Sequence, residues 1–146
     1  MKVEGKWWVT LYGAPGEIKE TRHGKNVVVT TGHQFLADFL ASAAAAASTF
    51  DMKYVAIGSD STGEAASNTA LGTELARVTA TVSSATAIYR LTATFSSGIG
   101  TGSIYEYGVM STITTGAGTM FSRDVEGLIT KSANDQLVVT TEITIS

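Results

Sequence analysis

The chain has 146 residues, with no cysteine, one proline and 15 glycines; it carries a net charge of −3, and only 16% of its residues are charged. These figures exclude a disulfide framework, a cysteine-based zinc site and a thiol nucleophile, and they lack the basic excess that a nucleic-acid partner requires. One domain, residues 1–146, is the expected organisation, long enough to bury a core without staples, and a low-charge surface rich in Thr, Ser, Ala and Gly suits a protein that lives packed against something.

Residues 1–10, MKVEGKWWVT, interleave their charges and lack the apolar run of a secretion signal. Residues 6–12, KWWVTLY, are aromatic and β-branched, which favours a pleated, half-buried strand. Alternation sets Trp7, Val9 and Leu11 on one face and Trp8, Thr10 and Tyr12 on the other. The GAPG at 13–16 reads as a turn and 17–21 as the returning strand, so 1–25 is expected to form a hairpin arm. A small basic turn, RHGK at 22–25, then leads into a β-branched run at 26–30.

The spacing predicts one helix over 31–48, with Thr30 or Thr31 as its cap. Phe35, Leu36, Phe39, Leu40 and Ala43 make its apolar stripe, with Gln34, Asp38 and Ser42 away from it. The apolar-leaning run within it, residues 35–47, is too short to span a membrane and carries Asp38. The helix is expected to lie across an open face or end of the strands.

The rest of the chain is organised around residues 54–77, YVAIGSDSTGEAASNTALGTELAR. A strand at 52–57 stops at Gly58, and the loop over 58–68 is long for a plain connection, which marks it as a contact element. Strands are expected at 77–83, 86–95, 103–111, 119–125 and 136–145. In the best of them Ala87, Tyr89, Leu91, Ala93 and Phe95 share one face; in the last, Leu137, Val139, Thr141, Ile143 and Ile145 do. Gly108 inside a strand suggests a bulge or a close backbone approach. Eight or nine strands with regularly spaced turns and one helix predict a mostly β fold, a jelly-roll-like β-sandwich.

No catalytic constellation stands out. His23 and His33 lack a third ligand. Asp51, Asp60 and Glu64 do not alternate as a calcium loop does, and 98–102, GIGTG, has neither the spacing nor the following helix of a phosphate loop. Ser59 and Ser61 lack a nucleophile elbow. The expectation is therefore no catalytic residue, no metal and no cofactor. The informative residues are the adjacent tryptophans, since Trp is enriched at interface hot spots. Trp7, Trp8, Tyr12, Asp60 and Glu64 are the interface candidates.

As a set, NVVVTTG at 26–32, AIGSDSTGEAASNTALGTELAR at 56–77, GIGTG at 98–102, EYGV at 106–109, GTMFSR at 118–123 and TEITIS at 141–146 resemble small structural proteins of tailed bacteriophages. The resemblance implies a non-enzymatic virion protein, made in the host cytoplasm and placed on the capsid surface as a decoration or cement protein. Its implied partners are the major capsid protein and itself, a trimer favoured, with neither nucleic acid nor membrane. A tail- or fibre-associated component or adhesin is the alternative reading. A carbohydrate-active hydrolase would need a cleft with paired carboxylates of shifted pKa, and an assembly factor would be missing from the finished particle.

Overall fold

A computed structural model describes residues 2–13, 16–42 and 51–146. The elements are β1 (Val3–Tyr12), β2 (Ile18–Val28), α1 (Thr30–Ser42), β3 (Tyr54–Gly58), β4 (Glu74–Thr79), β5 (Thr81–Ala85), β6 (Ile88–Phe95), β7 (Gly102–Met110), β8 (Met120–Lys131) and β9 (Gln136–Ile145). The fold is mostly β with a single helix among the described residues. Nine antiparallel strands form one sheet in the order β4-β3-β7-β8-β2-β1-β9-β6-β5. Its two end strands, β4 and β5, are consecutive in the chain and separated by Ala80 alone. The chain itself thus bridges both ends, and β3 and β4 approach β6 across the interior, leaving a curled, nearly closed sheet.

The inner face is set by period-two alternation. Leu11, Leu137 and Phe95 lie in one cross-strand row, Val9, Val139 and Ala93 in the next, and Trp7, Thr141 and Leu91 in a third. All nine are buried. Opposite them, Val55, Ile57, Tyr107 and Val109 complete the same core, in which the Trp7 and Tyr107 rings meet at 5.8 Å. A second cluster, Val29, Ala56, Leu71, Met110 and Met120, lies on the outer side of β3, β7 and β8. Those strands are buried on both faces because the connection between β3 and β4 folds back over them. Gly108 is the predicted close approach: a Cβ there would stand 3.1 Å from Leu71 Cδ2.

Several expectations are corrected. The hairpin is no arm, since β1 lies between β2 and β9 near the middle of the sheet. The basic turn at 22–25 is continuous strand within β2. The single strand expected at 77–83 is two strands at opposite ends of the sheet, because the chain turns a corner at Ala80, whose N–H donates to Lys53 O at 2.8 Å. Thr86 and Ala87 are turn, with φ of 49° and 63°, so Ala87 does not join the β6 face. Phe39 is 42% exposed rather than buried. The Thr31 hydroxyl donates to Met120 O at 2.6 Å, so it ties the helix to β8 instead of capping it. Gly32 lets that helix start lie directly on the Phe121 backbone, where any Cβ would collide. Residues 43–48 of the expected helix, and half of the GAPG turn, lie outside the described residues.

Candidate functional site

The motif-bearing loop is fastened by one buried carboxylate. Glu106 on β7 is fully buried. Its Oε1 accepts from the N–H groups of Thr73 at 2.8 Å and Asp60 at 3.3 Å, and its Oε2 accepts from Gly72 N–H at 2.8 Å and Arg123 Nε at 3.0 Å. Arg123 Nη2 lies 2.9 Å from the same oxygen and 3.5 Å from Asp60 Oδ2, as ion-pair contacts without hydrogen-bond alignment. Its Nη1 donates to Gly63 O at 3.3 Å and Asn68 Oδ1 at 3.1 Å. Gly58 and Gly72 make room for this knot, because a Cβ on either would strike the Glu106 or Asp60 carboxylate. A buried ion pair is tolerable when its remaining donors and acceptors are used, and here the loop engages both Glu106 oxygens and Arg123 Nη1.

A second clamp fixes the neighbouring loop. Arg77 on β4 makes a two-pronged contact with Glu74, Nε to Oε1 and Nη2 to Oε2, both at 2.8 Å. Its Nη1 donates to the carbonyls of Thr112 at 2.8 Å and Ala117 at 2.9 Å. The planar five-donor guanidinium serves carboxylate and carbonyls together, which a lysine could not do.

The outer face of β2-β1-β9-β6-β5 is of another kind. Its central row runs His23, Trp8, Thr140, Thr92, Thr81, and the next holds Thr21, Thr10, Val138 and Thr94. Trp8 is 40% exposed and Ile18, opposite Tyr12, is 59% exposed. One side is edged by Lys6 and Lys25 with the Glu142–Arg90 pair, 2.6 Å apart. β5 pairs only with β6, and all five of its residues are exposed. Neutral hydroxyl and methyl groups cost less to strip of water than charges do, so the middle of this face, away from the charged row, suits docking against another flat surface.

Two carboxyls meet at the β2–β8 seam, Asp124 buried and Glu126 half-buried. Asp124 is 1% exposed, and burial, then the Glu126 carboxyl beside it, pushes it up to about 8. Burial also raises the Tyr107 hydroxyl beyond the normal tyrosine range. At 1% exposure the Asp124 carboxyl does not face a cleft of the kind a glycoside hydrolase uses. Among the described residues no group of three His, Asp or Glu side chains is placed to hold a metal, and no helix is long and apolar enough to cross a membrane.

The structure separates the expected site residues. Trp7 is core, fully buried. Trp8 and Tyr12 share the outer face of β1. Asp60 and Glu64 lie on the loop over β7 and β8, with Asp60 turned to Arg123, so they do not join the tryptophan surface. Missed by the sequence reading were Glu106 and Arg123, whose only signal was that each stands in a short motif beside the glycine-rich loop. Comparison with protein-family models, with curated proteins and with solved structures found no match.

Proposed function

We propose that the chain is a bacteriophage virion structural protein, a non-enzymatic capsid decoration protein that acts by packing against itself and against the major capsid protein. The two halves of the sheet, β4-β3-β7-β8 and β2-β1-β9-β6-β5, are read as the layers of a jelly-roll-like sandwich. The observation that carries the reading is the outer face of the second half: five strands wide, low in charge and centred on an exposed Trp8. The two loop clamps support it, since the motif residues that suggested the virion class serve as rigid structure rather than as reacting groups. Burying the exposed part of Trp8, roughly 100 Å², adds on the order of 2 kcal/mol to each contact before association costs. Repetition over a shell makes such a contact sufficient.

The test is co-sedimentation of the purified protein with phage heads lacking it. The wild-type chain should saturate the shells, and Trp8→Ala should lower affinity by about tenfold or more with unchanged circular dichroism. Equal saturation by both would remove the face from the reading. Binding to tail fractions and not heads would replace the capsid by the tail-associated alternative.

A further inference from the structure

The inner face holds one polar patch that the core packing leaves unused. β2 and β8 pair through only two residue pairs, Val27 with Arg123 and Val28 with Ser122. Continued by one step and by three, that antiparallel register sets Asn26 toward Asp124 and Gly24 toward Glu126, where the backbones no longer pair. Across β7, Tyr107 stands opposite Asp124; across β1, Trp7 stands opposite Gly24 and Gly5 opposite Asn26. Both glycines are needed, because a Cβ on Gly24 would occupy the place of the Glu126 carboxylate and one on Gly5 that of the Asn26 amide. Both Asn26 amide atoms, the Tyr107 hydroxyl and Trp7 Nε1 are buried and have no donor–acceptor partner among the described residues, and the buried Asp124 carboxyl has only the Glu126 carboxyl and the Val125 N–H beside it.

We propose that this seam is a proton-operated latch, closed by one proton shared between Asp124 and Glu126 and loosened as that proton leaves. The two carboxyls are within hydrogen-bonding reach of each other, a contact that requires a proton between them. When Asp124 ionises, its charge is 1% exposed and stands beside the Glu126 carboxyl. Arg22 on β2 is a cation beside the seam, but both its terminal nitrogens are engaged by backbone carbonyls, those of Thr21 and Leu128, and it lies 3.7 Å from Glu20. The loop over β8 adds Glu64; Tyr107 of β7 stays neutral, and β1 contributes no charge to this face. The least costly relief is to part β2 from β8, whose backbones meet in two residue pairs, followed by the Val29 N–H to Phe121 O bond. The sign follows from the raised value: the folded state keeps a proton that the unfolded chain gives up near 3.8. The stabilisation is therefore complete at acid pH and is lost as pH rises from there through about 8.

Trp7 is the reporter. In a Trp8→Phe background it is the one indole left, and it borders the seam. Acrylamide quenching of Trp7 should be low at about pH 5 and rise in a single step by about pH 9, with a midpoint well above the ordinary carboxylate range. Asp124→Asn and, separately, Glu126→Gln should each abolish the step; if Asp124→Asn does not fold, Glu126→Gln decides. Quenching that stays equally low across the range, or a step that survives in either folded variant, overturns the latch.

Discussion

Glu106→Gln is the most searching perturbation of the loop knot. It preserves shape but removes the charge opposite Arg123, which is 3% exposed at its side chain and keeps only Asp60, 3.5 Å away, as an acidic neighbour. The new amide nitrogen must also face donors: Oε1 serves two backbone N–H groups and Oε2 serves Gly72 N–H and the guanidinium. Removing one partner of a buried ion pair costs about 3–5 kcal/mol, a large part of a stability of about 5–15 kcal/mol. For a chain of this size that lowers Tm by roughly 6–20 °C. Differential scanning calorimetry measures the loss, and hydrogen exchange locates it: the Gly72 and Thr73 amides should lose protection before the β1 and β9 amides do. A fall in Tm of less than about 2 °C with unchanged exchange at Gly72 and Thr73 would refute the claim that Glu106 fastens this loop. Removing both charges with apolar residues should cost less than the sum of the single changes.

Ala87 holds φ at 63° in the turn between β5 and β6, a conformation that costs a non-glycine residue about 1–2 kcal/mol; Ala87→Gly should therefore raise stability by up to about 1 kcal/mol after the added chain entropy, read as a higher denaturant midpoint at unchanged m. Leu91, fully buried between Thr141 and Val82, should lose about 2–5 kcal/mol on truncation to Ala; a cost below about 1 kcal/mol would mean that the inner face is misassigned.

The legible parts of the fold were strands with one buried face. In β1, β6 and β9 the alternation of Trp7, Val9 and Leu11, of Leu91, Ala93 and Phe95, and of Leu137, Val139 and Ile143 is the core itself. It also put the two tryptophans on opposite sides, without saying which one was inside. Where other forces rule, the pattern was silent. β2 runs straight through RHGK because Gly24 gives space to Glu126, a tertiary demand that local sequence expresses as a turn. The split at Ala80 depends on where the two ends of the sheet meet. Glu106 and Arg123 are 17 positions apart and read singly as surface charges; only the fold makes them one buried knot. Phe39 belongs to a sound helical stripe, but α1 packs on β8 through its first turns, which leaves Phe39 at the margin.

The central claim is that this chain is a stoichiometric part of a phage head. Quantitative mass spectrometry of purified virions, separated into heads and tails, tests it most directly. The account predicts the chain in the head fraction at a fixed ratio to the major capsid protein. Its absence from finished particles, or its confinement to tails, would contradict that claim.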